Sequence, residues 1–193
     1  SLLSVLLLSG IYYYNFTTPE FNVNISQLPF WALSVYFFWK GINFNKNIDW
    51  VLFGAFSAFG FLSKYLFIYI LAALFIFFSF NFKKYKKSLN GYILSILISL
   101  TLLLPHLFWL FENDFVTIFY GLDRSGFSEF NFLNHLKNPF IFLFKQLIIL
   151  IPFFLMIYVI LKKLKFRINL NNKKILFLLS INFLPIILIF ATS

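Results

Sequence analysis

Cysteine is absent from the 193 residues. The chain therefore has no disulfide, no thiolate metal site and no thiol nucleophile. Charge is scarce as well. Only 11% of residues are Asp, Glu, Lys or Arg, against about a quarter in ordinary soluble domains. Six of the charged residues are acidic and sixteen basic. The sequence also lacks a His/Glu metal-ligand spacing, a glycine-rich phosphate loop and a Gly-x-Ser-x-Gly nucleophile turn. Alternation of apolar and polar residues in strand-length pieces is missing too, which excludes a membrane β-barrel.

What is abundant is apolar surface, with 61% of residues hydrophobic and 24% aromatic. About seven apolar segments stand out, at approximately 2–13, 28–39, 50–63, 65–81, 91–110, 139–161 and 175–191. Several carry almost no charge over a length that can cross a bilayer. The expected fold is an all-α, multi-pass transmembrane helical bundle forming one domain over residues 1–193. A formal net charge of +10 suits nucleic acid in a soluble protein. In a membrane protein it reflects lysine and arginine gathered in cytoplasmic loops, so no nucleic-acid partner is expected.

The polar gaps sort by sign. Gaps 40–49, 82–90 and 162–174 hold twelve of the sixteen basic residues. Gaps 14–27 and 111–138 hold five of the six acids: Glu20, Glu112, Asp114, Asp123 and Glu129. The first set is expected in the cytoplasm and the second outside. Residues 50–81 then lie between two cytoplasmic gaps and must cross an even number of times. Lys64 is the only charge from Trp50 to Phe80, and the expected solution is a hairpin turning at Ser63-Lys64-Tyr65. Helices of 14 and 17 residues are about 21 and 25 Å long, short of a hydrocarbon core of about 30 Å. The lysine would sit at a recessed tip on the outer face. The alternative is one long tilted helix with Lys64 near its centre, at the cost of a buried charge. Segment 139–161 is expected as one helix, with Lys145 snorkelling outward. Pro105 is expected to bend the last turn of its helix.

The polar residues assigned to the outer side are the candidates for chemistry. A recessed ammonium at Lys64 suits a lipid phosphate; the plainer reading is a snorkelling or paired lysine. His106 is a candidate proton shuttle, or a helix-end histidine bonded to a carbonyl. Glu112 and Asp114 suit a divalent cation or general-base work, or simply begin a solvated loop. Asp123 and Arg124 read as a local ion pair, and Tyr12–Tyr14 as interfacial aromatics.

Three stretches then occur together in order: "YYYNFTTPEFNVNISQLPFW" (12–31), "FGFLSKYLF" (59–67) and "LLPHLFWLFENDF" (103–115). They carry Phe21-Asn22-Val23-Asn24, Leu28-Pro29-Phe30-Trp31, Leu62-Ser63-Lys64-Tyr65, Pro105-His106, Trp109-Leu110 and Asp114-Phe115. This set, over roughly residues 8–120, resembles the bacterial family 39-like membrane glycosyltransferases of the GT-C fold. That group includes protein O-mannosyltransferases and the lipid A aminoarabinose and galacturonic acid transferases. The resemblance implies transfer of a sugar from a polyprenyl-phosphate carrier to a lipid, glycan or protein at the outer face of a bacterial inner membrane. It implies a lipid-phosphate site at Lys64, Tyr65 and Arg124, and sugar or acceptor contacts at Asn22, Asn24, Glu112 and Asp114. It also places the main catalytic carboxylate in a loop upstream of the first helix here. The chain is accordingly expected to be a fragment lacking that group, with His106 as the catalytic candidate within it. No protein-bound metal is expected beyond an optional divalent cation. A transporter or flippase of lipid-linked sugars, and a non-catalytic membrane scaffold, are the competing readings.

Overall fold

The computed structural model describes residues 2–11, 20–124, 132–162 and 172–192, and every regular element among them is helical. The helices are α1 (Leu2–Leu8), α2 (Val23–Phe44), α3 (Asn47–Ser63), α4 (Ile68–Phe80), α5 (Phe82–Tyr85), α6 (Leu89–Glu112), α7 (Val116–Arg124), α8 (Phe132–Ile149), α9 (Ile151–Leu161) and α10 (Lys173–Thr192). Short 3-10 turns at Tyr65–Phe67 and Lys86–Ser88 precede α4 and α6.

The ends of α2 follow from local chemistry. Asn22 caps its start: the side-chain oxygen accepts from the backbone N–H groups of Asn24 and Ile25 at 2.9 and 3.3 Å. Asn45 ends it in the left-handed conformation at φ 51°, its N–H donating to the Gly41 carbonyl at 2.9 Å. Asp49 falls in the first turn of α3, where a negative charge favours the helix dipole.

Ring contacts fix the direction of each helix. Phe30 meets Phe59 at 5.9 Å and Phe38 meets Phe53 at 5.3 Å, so α3 runs antiparallel to α2. Trp31 meets Phe67 and Phe38 meets Phe78, so α4 returns parallel to α2. Residues 50–81 therefore form the expected hairpin, and the single tilted helix is excluded. The reversal occurs at Lys64, which is extended (φ −163°, ψ 129°) between two helical segments. Gly60 permits the tight return: a Cβ there would run into the Phe67 ring. Helix α6 runs parallel to α3, with Ser95 against Gly54 and His106 against Tyr65.

The core centres on Phe38, which is fully buried. Its ring lies within 6.5 Å of Trp50, Phe53, Phe78, Tyr92 and Phe177. Helices α2, α3, α4, α6 and α10 thus share one aromatic cluster, mostly in edge-on pairs that the ring quadrupole favours. Outward surfaces stay apolar, with Phe75, Leu97 and Phe183 more than half exposed, in keeping with lipid rather than water as the surrounding medium.

Lys40, Lys83–Lys87, Lys173 and Lys174 collect at one end of this bundle. Lys40 Nζ pairs with the buried Asp49 carboxylate at 2.8 Å. Asn45 donates to the Lys87 carbonyl and accepts from Trp50 Nε1. Phe177, one turn into α10, packs on Trp39 and Phe77, which brings Lys173 and Lys174 to the same end.

Several expectations need correction. Of about seven apolar segments, two helices are long and apolar enough to cross a membrane among the described residues: Phe82–Glu112 and Lys173–Ala191. A third counts if Lys137–Ile149 and Ile151–Ile160 form one broken span, bent by 51°. Segment 139–161 is therefore not one straight helix. Pro152 stands in the first turn of α9 and cannot donate to the carbonyl one turn back. The others fall short: Asn47–Ser63 and Tyr65–Phe80 are apolar but short, and Leu2–Leu8 has seven residues. Two of the lysine-rich gaps, 40–49 and 82–90, are not loops either, and most of the third, 162–174, lies outside the described residues. α2 continues past Lys40 to Phe44, only Asn45 and Lys46 separate it from α3, and Lys83–Lys87 are helical.

Candidate functional site

At the end of the bundle opposite the lysines, three elements converge on the 64–65 turn. Lys64 is half-buried, and its Nζ donates to Asn24 Oδ1 at 2.5 Å, across 40 residues of sequence. Asn24 is held in the first turn of α2 by the Asn22 cap, and Asn22 Nδ2 donates to the Glu20 carbonyl at 3.1 Å. The amide oxygen of Asn24 is neutral and orients the ammonium by a hydrogen bond.

Tyr65, the next residue, reaches the other way. Its hydroxyl lies 2.8 Å from His106 Nε2 on α6 and 2.8 Å from Thr117 Oγ1 on α7. The His106 ring also stacks on Trp109 at 5.9 Å and 12°, and the Tyr65 ring packs on Phe61. His106 is thus not a helix-end histidine bonded to a carbonyl. It faces a hydroxyl that both donates and accepts, and a proton can pass in either direction along His106, Tyr65 and Thr117 according to the imidazole tautomer.

The turn after α6 brings Thr117 into place. Asp114 and Phe115 have positive φ values, 49° and 54°. The Phe115 N–H donates to the Leu110 carbonyl at 2.9 Å, and its ring meets Phe111 at 5.0 Å. The chain then re-enters a helix at Val116.

Of the residues singled out in the sequence, Asn22, Asn24, Lys64, Tyr65 and His106 come together. Glu112 ends α6 and Asp114 occupies the following turn at the same end, both exposed. Asp123 is exposed on α7, but the Arg124 side chain and Tyr12–Tyr14 lie outside the described residues, and with them the Asp123–Arg124 pair. No group of three or more His, Asp and Glu forms among the described residues. Two functional-looking polar residues carried no sequence signal. Thr117 is a lone hydroxyl between apolar neighbours, and Asp49 sits among lysines.

No curated protein and no solved structure matches the chain. The family model described as dolichyl-phosphate-mannose-protein mannosyltransferase matches residues 1–109. That stretch is more than half of the chain and contains Asn22, Asn24, Lys64, Tyr65 and His106. The chain belongs to this family, whose members are membrane glycosyltransferases of the GT-C type.

Proposed function

We propose that the chain carries the donor-phosphate site of an enzyme that takes a sugar from a polyprenyl-phosphate carrier and passes it to a lipid, glycan or protein acceptor. One observation supports the reading: an ammonium stands on an extended residue between two short helices, at the bundle end remote from Lys40, Lys83–Lys87, Lys173 and Lys174. With the lysine-rich end in the cytoplasm, Lys64 faces the outer leaflet of a bacterial inner membrane, near headgroup depth. Phe59, Leu62, Leu66 and Ile68 flank it with exposed apolar surface on which a prenyl tail would lie.

In this mechanism the carrier phosphate meets Lys64, with Arg124 assisting, while Tyr65 beside it is held by His106 and Thr117. As the bond from the sugar C1 to the phosphate oxygen breaks, negative charge gathers on the leaving phosphate, and a fixed cation stabilises it. His106 takes or returns a proton through Tyr65. Asn24, with Asn22 behind it, orients sugar hydroxyls, and Glu112 and Asp114 meet the acceptor. A divalent cation here would draw most of its ligands from phosphate and water, with Glu112 or Asp114 as the protein's share; no step depends on it.

The test is direct binding of polyprenyl phosphate to the purified full-length protein. Lys64→Ala should weaken binding at least about tenfold, the scale of a lost charge-assisted hydrogen bond of about 1.5–3 kcal/mol. Equal affinity would remove the basis of the reading.

A further inference from the structure

We infer that Thr117 is a positioning residue for the Lys64 site, acting through Tyr65; the inference rests on the reading that Lys64 meets the carrier phosphate. Thr117 lies beyond the residues that match the family model, so the match assigns it no role.

The reasoning begins with the backbone at Lys64. Its N–H donates to the Gly60 carbonyl at 3.2 Å and its carbonyl accepts from Phe67 at 3.0 Å. Being extended, it continues neither helix, and beyond these two backbone bonds and the Asn24 contact its orientation depends on the next residue. The adjacent Tyr65 supplies the anchor. A tyrosine hydroxyl has one hydrogen to give and lone pairs to receive. His106 and Thr117, on two different helices, use both capacities. One partner alone leaves the phenol able to swing about that single bond. Two partners fix it, and with it the residue that precedes it.

Thr117 reaches Tyr65 only because the chain reverses at Asp114 and Phe115. Both are non-glycine residues in the left-handed region, which L-residues adopt reluctantly. Such strain persists where surrounding contacts enforce it, and it clusters at functional sites. The Phe115 bond to Leu110 and its ring contact with Phe111 hold the turn. Helix α7 is thereby folded back so that its first-turn hydroxyl closes on the 64–65 turn.

The experiment measures the affinity of the purified full-length protein for polyprenyl phosphate, with a thermal melt of each variant. Thr117→Val should bind about fivefold more weakly, the size of one neutral hydrogen bond. Thr117→Ser, which keeps the hydroxyl, should stay within about twofold of the parent. Tyr65→Phe combined with Thr117→Val should bind no worse than Tyr65→Phe alone, since the two changes break one linkage. Parental affinity for Thr117→Val, beside weakened binding by Lys64→Ala, overturns the inference and leaves the phosphate site standing. Equal loss in Thr117→Val and Thr117→Ser also overturns it, because the hydroxyl is then not the agent. Parental affinity for Lys64→Ala sinks the phosphate reading itself, and this inference with it. Should Thr117→Val fail to fold, Tyr65→Phe decides: undiminished affinity overturns the inference.

Discussion

Lys64→Ala in the full-length protein lowers turnover of a polyprenyl-phosphate-linked sugar by about 100- to 1,000-fold, the cost of removing one preorganised group that stabilises developing charge. The loss should fall mainly on kcat. The phosphate is already charged in the bound donor, but its charge grows as the sugar departs, and only the part of the interaction that strengthens in the transition state accelerates the step. Lys64→Arg keeps the charge but spreads it over a planar fork, and an intermediate rate is expected. The fold should survive, because the contact with Asn24 is solvent-exposed and the aromatic core lies elsewhere. Release of polyprenyl phosphate from the glycosylated donor measures the effect. Unchanged kcat in a folded Lys64→Ala protein would rule out an electrostatic role for the ammonium.

Gly54→Val should be the most destructive change away from the site. A Cβ at Gly54 would lie 2.5 Å from the Ser95 carbonyl oxygen and 3.1 Å from Ser95 Cα. Both are backbone atoms of α6, and neither can swing aside as a side chain can. Ser99 Oγ donates to the Gly54 carbonyl at 2.8 Å, so a hydrogen bond reinforces the close approach, as small residues allow between membrane helices. Valine must push α3 and α6 apart. α3 leads into Lys64 and α6 carries His106, so separation of the two helices loosens the site as well as the fold. The expected loss is about 3 kcal/mol, at the upper end of overpacking costs, read as a lowered melting temperature together with lost turnover. Gly121→Ala is the control: nothing lies within 4 Å of its Cβ position, and no loss of stability is expected. Equal melting temperatures for Gly54→Val and the parent would show that the two backbones are not in contact.

The sign and position of charge made the hairpin legible. A single lysine in a run of apolar residues, flanked by two lysine-rich stretches, points to a reversal of the chain, and Phe30, Phe38, Phe53 and Phe78 pack as a hairpin requires. The lysine-rich stretches were misread as loops because polarity marks position relative to the membrane and not the end of a helix. Lysine is a good helix former, so Lys40 and Lys83–Lys87 continue the helices they flank. The number of spans was overestimated because apolar composition alone does not make a helix long enough to cross: Asn47–Ser63 and Tyr65–Phe80 are apolar but short. Pro152 was visible in the sequence, but its effect, a break at Leu150, depends on where α9 begins.

The site was legible in a different way. Asn24 and Lys64 lie 40 residues apart and Tyr65 and His106 lie 41 apart, and no periodicity links them. The sorting of charge assigned them to one side, and the resemblance of three ordered stretches grouped them into one site. Thr117 remained hidden because the turn that delivers it uses Asp114 and Phe115 at positive φ, where a glycine would have signalled a reversal. Asp49, a buried partner for Lys40, was indistinguishable from an ordinary polar residue beside a lysine-rich stretch.

The central claim, that a carrier phosphate meets Lys64, is tested most directly by a polyprenyl phosphate bearing a photoreactive group next to the phosphate. It would be cross-linked to the full-length protein in membranes and the labelled residues mapped. The label should fall on the Ser63-Lys64-Tyr65 turn and the facing end of α6 near His106, and should disappear in Lys64→Ala. Label concentrated at Lys83–Lys87, on the opposite end of the bundle, and unaffected by Lys64→Ala would contradict it.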